Sequence, residues 1–297
     1  MCKASASGVR LRKNYFGFAT CEIGRVGARA SLGGVCLDLR SARKDRCTTS
    51  TCTTPSGDGP TPRSQSVVRV GFLAPMPSEL RPLVRAASLR PERLDKVRLY
   101  RGRVGNALIV ATTTGIGTRA AAQAAEYLLD SEPVDLLIVV GIAGGVGSAA
   151  AIGDVIVPEL VIDGVSGQSY QPAPLGGLRA WGRLETSDQF VAEPEGVARL
   201  VARGVVAVDM ETASIAAVCV RRRCPWSVVR AISDRAGELP IDILGLVKPD
   251  GSPNFRAAAR YILTHPGRLP ALAILARDSG RAARAAARVA VRACEEL

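Results

Sequence analysis

A single histidine, three methionines and an aromatic content of 4% leave this 297-residue chain poor in the side chains on which several kinds of site depend. With His265 alone and no C-x-x-C pair, a zinc site is not expected. Lysine is scarce too: all but five of the 39 basic residues are arginine, and with abundant Ala and Gly this fits the bias of a GC-rich genome. The first residues lack the compact apolar core, roughly 7–15 residues long, of a secretory signal. The one long uncharged run, Leu136 to Ile152, is interrupted by Gly141, Gly144, Gly145 and Gly147 and flanked by Asp135 and Asp154. It therefore reads as a strand plus a backbone-lined loop, and no membrane span is expected.

What is present points to a globular protein. A hydrophobic content of 47% suffices for one domain of ordinary size with an appendage. The net charge of +12 is unevenly spread: residues 1–66 hold eleven Lys/Arg against four Asp/Glu, hence +7, which leaves +5 for the rest. Cysteines divide likewise, with Cys2, Cys21, Cys36, Cys47 and Cys52 in that stretch and only Cys219, Cys224 and Cys294 beyond it. The later three are expected to be thiols of a reducing compartment, and no disulfide framework is expected. Residues 1–66 end in a Thr/Ser/Pro/Gly-rich run and read as a disordered basic tail. An Arg/Ser-rich transit peptide and a start codon assigned too far upstream both fit it, and residues 67–297 form the expected folded domain.

From Val67 the pattern changes. Val67 to Ala74 reads as a buried strand ending at Pro75, and Pro77 and Ser78 suit the first turn of a helix that carries Glu79. Arg98 to Arg103 and Ala107 to Thr114 read as strands joined at Gly105-Asn106. The turn Gly115-Ile116-Gly117 leads into an Ala-rich helix over 119–129, and its backbone N–H groups would face an anion or hydroxyl. Further strands are expected at 136–140, 154–161 and 226–232, a loop at 164–182 and helices at 210–223 and from about 254. Arg277, Arg281, Arg284, Arg288 and Arg292 recur at helical spacing. That stripe reads as the solvated face of a terminal helix, with docking on an acidic partner or nucleic acid as the rival; no aromatics interleave to stack on bases.

Two carboxylates stand out. Glu211, in Val208-Asp209-Met210-Glu211-Thr212-Ala213, and Asp234, in Arg230-Ala231-Ile232-Ser233-Asp234, lie where apolar segments give way to turns or helices, the edge at which α/β folds place binding groups. Asp209 and Glu211 interrupt a segment that otherwise looks buried, and buried carboxylates need partners.

Strands alternating with helices give an α/β domain with a largely parallel sheet. Four segments in order, Gly71 to Leu80, Gly115-Ile116-Gly117, Val140 to Gly147 with Gly153-Asp154, and Val208 to Asp234, resemble the nucleoside phosphorylase/hydrolase superfamily. Within it they are most similar to the bacterial methylthioadenosine/S-adenosylhomocysteine nucleosidases. The resemblance spans Val67 to about Asp234 and implies a three-layer α/β sandwich with a mixed, largely parallel central sheet. It also implies cleavage of the N-glycosidic bond of a purine nucleoside without cofactor or metal, in a cytoplasmic homodimer.

Residue by residue, the resemblance implies that Glu79 positions and deprotonates the attacking water and that Asp234 protonates purine N7. It places Met210 and Glu211 on the ribose, Phe190 and Val191 on the base, Ser233 beside Asp234, Arg230 near the water, and Ile142 and Gly144 in the substrate-lining glycine segment. Asp234 would have to stay protonated at working pH, which partial burial would favour. Each role has a plainer rival: Glu79 could complement a helix dipole, Asp234 could be a turn residue and Phe190 ordinary core. Phosphorylases of this superfamily carry an Arg before the glycine segment and a Ser after its first Gly; here those places hold Val139 or Val140 and Ile142. This favours water over phosphate as nucleophile. The nucleosidases also have Ser at the place of Ile142, and the Gly141-to-Gly145 form is similar to futalosine hydrolases, so the resemblance leaves the nucleoside open.

Overall fold

The computed structural model describes residues 12–13, 19–20, 67–95, 97–189, 193–237 and 254–297. The chain forms two compact units, Met1–Pro62 and Arg63–Leu297. In the first, β1 (Arg12–Lys13) pairs antiparallel with β2 (Ala19–Thr20); the rest of the expected disordered tail lies outside the described residues.

The second unit begins with β3 (Arg69–Ala74), α1 (Pro77–Ala86), β4 (Arg90–Leu94), β5 (Val97–Val104), β6 (Ala107–Thr113) and α2 (Thr118–Ser131). There follow β7 (Leu136–Gly145), β8 (Val155–Ile156), β9 (Leu160–Asp163), β10 (Ser169–Tyr170), β11 (Arg183–Thr186) and α3 (Pro194–Ala202). It closes with β12 (Val205–Asp209), α4 (Thr212–Arg222), β13 (Trp226–Arg235), α5 (Phe255–Thr264) and α6 (Leu269–Glu295).

The sheet is mixed. Its centre is parallel, with β3 between β6 and β7 and with β13 along β7, while β4 and β5 on one side and β9 and β10 on the other add antiparallel pairs. The apolar runs of β3, β7 and β13 have no polar face because helices cover both sides, as parallel strands require. Val70, Phe72, Ile138, Val140, Val229 and Ala231 cluster with α1 and α6 residues such as Leu80, Leu83 and Ala286. The alternate set, Leu73, Leu137, Val139, Val228 and Ile232, clusters with Ala125 and Leu128 of α2 and Ile215 and Ala216 of α4. Two cores on opposite faces make the three layers.

β7 is the hub of the site. Its first half pairs with β3, its last two residues pair with β12, and β13 follows it throughout. The glycine segment, expected as a loop, is therefore strand as far as Gly145. It stays in the ladder because neighbours leave no space for side chains: a Cβ on Gly145 would lie 2.9 Å from Ile232 Cγ2.

β13 also runs further than expected, to Arg235. Its register against β7 slips between Ile232 and Asp234, which pair with Ala143 and Gly144, so Ser233 is an extra residue in a bulge. A bulge of this kind bends the strand locally just before Asp234. The run 154–161 divides at Pro158 into β8 and the start of β9, and β10 interrupts the expected loop at 164–182. The edge strand β4 carries Pro91, Arg90, Glu92 and Arg93, residues that block further strand pairing. Cys219 and Cys294 are buried thiols and Cys224 is a half-buried one. Among the described residues no helix is long and apolar enough to cross a membrane.

Candidate active site

The carboxyl ends of β7, β12 and β13 converge with the start of α1. Arg230, on β13, is fully buried and is the cation around which three carboxylates collect. Its Nη2 donates to Asp209 Oδ2 at 2.5 Å, to Thr212 Oγ1 at 3.1 Å and to Glu211 Oε2 at 3.3 Å, and its Nη1 lies 3.8 Å from Glu79 Oε2. Arg230 pairs in register with Gly141 of β7, where a Cβ would overlap Glu79 Oε2 and come within 2.5 Å of Arg230 Nη1. Glycine at 141 is thus a condition for the Glu79–Arg230 contact.

Glu79 sits in the first turn of α1, 2% exposed. Its Oε2 accepts the Ile142 backbone N–H at 2.7 Å, while its Oε1 is buried without a protein hydrogen-bond partner. A residue that merely complemented a helix dipole would face solvent. Burial pushes the Glu79 carboxyl up to about 7, against the opposing pull of Arg230 and the Ile142 N–H. Its ionised and neutral forms are therefore both populated near neutral pH.

Glu211 ends the β12–α4 turn. Its Oε1 accepts the Gly117 N–H at 3.1 Å, and burial, opposed first by Arg230 and reinforced by Asp209 and Glu79, raises its carboxyl to about 8. The cause is simple: one guanidinium cannot balance three buried anions. Asp209 is the most fully hydrogen-bonded of the three. It accepts the Thr186 hydroxyl at 2.6 Å, the Thr212 hydroxyl, the Thr212 N–H at 3.3 Å and the Glu211 N–H at 3.4 Å. Thr186 Oγ1 in turn accepts the Ala213 N–H at 2.9 Å. Asp209 therefore pins the turn that carries Met210 and Glu211 and neutralises part of Arg230.

Asp234 is half-buried, and the Ser233 hydroxyl donates to its Oδ1. A Cβ on Gly144 would lie 3.3 Å from Val208 Cγ2 and 3.5 Å from Asp234 Oδ2, so Gly144 lies against that carboxyl. Ser233 is itself buried.

The structure brings together Glu79, Arg230 and Glu211, with the Ile142 backbone on Glu79, and separately Asp234, Ser233 and Gly144. Met210 is half-buried next to Glu211. Phe190 and Val191 lie outside the described residues. One expectation needs correction. The Gly115–Gly117 turn does not hold its N–H groups for an outside anion: Gly117 N–H goes to Glu211, and Thr118 N–H and Oγ1 go to Asp188 at 2.8 and 2.5 Å. Asp209 and Thr186 escaped the sequence reading as parts of the site, whereas Gly117 belongs to a turn it had singled out. The signal for Asp209 was present in its place within an apolar strand; nothing local marks Thr186.

This architecture belongs to a known class. The model of the phosphorylase superfamily matches residues 69–181 and 177–243, and the chain belongs to that superfamily. More particularly, it is 30% identical over 207 residues to a 5'-methylthioadenosine/S-adenosylhomocysteine nucleosidase of Aeromonas salmonicida, covering 59% of this chain and 90% of the relative. In fold it is similar to the Neisseria meningitidis enzyme of that name, crystallised with methylthio-immucillin-A, at a TM-score of 0.60 and 22% identity over 77% of this chain and 99% of the other. The native futalosine hydrolase of Helicobacter pylori is similar in fold to the same degree, with a TM-score of 0.60, 20% identity and coverage of 78% and 99%.

Proposed function

We propose that the chain is a purine nucleosidase that hydrolyses the N-glycosidic bond of a 5'-substituted adenosine of the methylthioadenosine/S-adenosylhomocysteine kind, releasing adenine and a 5-substituted ribose. The observation that carries this reading is Glu79: a buried carboxylate fixed through one oxygen, with the other oxygen free to accept, poised near neutrality beside Arg230.

In the proposed reaction Glu79 takes a proton from water whose oxygen bonds to C1′, the C1′–N9 bond breaks, and its electron pair passes to the purine as Asp234 delivers a proton to N7. Positive charge develops on the sugar, so Glu211 beneath the ribose acts where the transition state needs it. The 2′- and 3′-hydroxyls donate to Glu211, with Met210 packing on the same sugar. Phe190 and Val191 are assigned to the base, Ser233 holds Asp234, and Ile142 and Gly144 line the site. Arg230 touches Glu79 and Glu211 at once, fixing their separation in the manner of paired carboxylates that leave room for water.

Phosphorolysis is the less favoured rival: Val139, Val140 and Ile142 offer no charge to a phosphate oxyanion. A futalosine-type substrate is favoured only by the Gly141–Gly145 form and by a fold likeness. We place the enzyme in the cytoplasm, in purine nucleoside and methionine salvage, as a homodimer whose catalytic domain is residues 67–297. Turnover in ¹⁸O-labelled water with methylthioadenosine, adenosylhomocysteine, futalosine and inosine tests the assignment. Label at C1 of the released sugar from the adenine nucleosides is the expected result; release from futalosine or inosine alone reassigns the substrate.

A further inference from the structure

The arginine stripe of α6 takes on a different meaning beside α1. Of its five arginines only Arg284 and Arg288 line a cleft of about 430 Å³ between the two helices, together with Gly280 and with Ser78, Arg81, Pro82 and Arg85 of α1. The α1 residues recur at i, i+3, i+4 and i+7, so they form one face of that helix, opposite the buried Leu80 and Leu83. Four arginines thus line one concavity, and no Asp or Glu lines it. The volume falls within the range of small-molecule pockets, about 300–1,000 Å³.

Some other arginines of this unit meet carboxylates. Arg101 meets Glu92 and Glu132, Arg203 meets Glu185, Arg221 and Arg222 meet Glu126, Arg222 also meets Asp130, and Arg281 meets Asp278. Among the described residues no carboxylate pairs with Arg81, Arg85, Arg284 or Arg288. Gathering four like charges without a counter-charge is unfavourable unless an anion offsets it. The missing side chain at Gly280 adds access: Arg284 Nη1 lies 3.4 Å from where its Cβ would stand.

We propose that this cleft binds a compact polyanion, the phosphate chain of a small molecule, through bidentate contacts from Arg81, Arg85, Arg284 and Arg288. Guanidinium forks match phosphate oxygens in geometry and charge. The walls formed by two helices favour a compact group over an extended nucleic-acid strand. Arg277, Arg281 and Arg292 stay outside the lining and no aromatic enters it, whereas a strand would use the whole stripe.

Calorimetric titration of the full chain with inorganic tripolyphosphate at low salt tests the proposal by binding alone, so it does not depend on turnover. Saturable binding of one equivalent per chain is expected. Arg284→Gln/Arg288→Gln should weaken it at least tenfold, about 1.4 kcal/mol, and Arg81→Gln/Arg85→Gln should do the same from the other wall. Arg277→Gln/Arg281→Gln should change it less than twofold. Cytidine 5'-triphosphate, a phosphate ester that is no purine, separates the sources: equal affinity assigns recognition to the phosphate chain, and tighter binding assigns it to a nucleotide ester. Absence of saturable binding, equal loss in the Arg277/Arg281 control, or a DNA duplex binding tighter than both phosphates would overturn the proposal.

Discussion

Arg230 and its carboxylates set the chemistry at the scale of single residues. Glu79, raised to about 7, must be ionised to take a proton, so kcat/KM should fall as pH drops below about 7. Glu79→Gln should lower kcat by roughly 10²–10⁴-fold with nucleoside binding retained, measured by single-turnover kinetics and equilibrium binding. Glu211, raised to about 8, is largely protonated in the free protein at pH 7. Ribose hydroxyls that donate to it favour its ionised form, so nucleoside binding at pH 7 should release a proton. Calorimetry in buffers of different ionisation enthalpy measures this, and Glu211→Gln should abolish the release. Both outer carboxylates were legible in the sequence because each stood at the edge of an apolar run or in a helix start after one. Asp209 was legible only as a buried carboxylate, since its partners Thr186 and Arg230 lie 23 and 21 residues away in the chain.

At the scale of elements, the long strands β7 and β13 build the site by two departures from regular strand sequence. One is glycine at positions where other residues would collide; the other is the bulge at Ser233, beside Asp234. Gly141→Ala should displace Glu79 or Arg230, with a stability loss of about 1–3 kcal/mol by thermal or denaturant unfolding and a loss of turnover larger than that destabilisation explains. Gly153→Ala is a useful contrast for space alone, because nothing lies within 4 Å of its added Cβ, though its φ of +97° carries a backbone cost. The strands with continuous apolar runs were readable directly, as was α1 from Pro77. The extent of β7 was not, because a glycine run matches a loop in composition and only its neighbours in β12 and β13 make it strand. β4, β11, α3 and β12 were missed for a related reason: they are short or charged, and tertiary pairing defines them.

At the scale of the whole molecule, the buried cluster gives stability a pH dependence opposite to the common one for carboxylates. Glu79 and Glu211 have folded-state values above their ordinary 4.5, so the folded protein binds more protons than the unfolded chain between about 4.5 and 8. Their contribution is fully present below 4.5 and is lost as pH rises through 7 and 8. For Glu79 the change is on the order of 3 kcal/mol. Denaturant unfolding as a function of pH should show this decline, and Glu79→Gln should lessen it, leaving the part due to Glu211. The layered α/β fold followed from the alternation of strands and helices, whereas the sharing of one cation by three carboxylates emerges only when β12, β13 and α1 meet. Whether that assembly activates water is the central claim, and the most direct measurement is the initial rate of free adenine release from methylthioadenosine with and without inorganic phosphate. Release at the same rate in both, with free 5-methylthioribose as the co-product, is the predicted result; a requirement for phosphate, or no release at all, would contradict it.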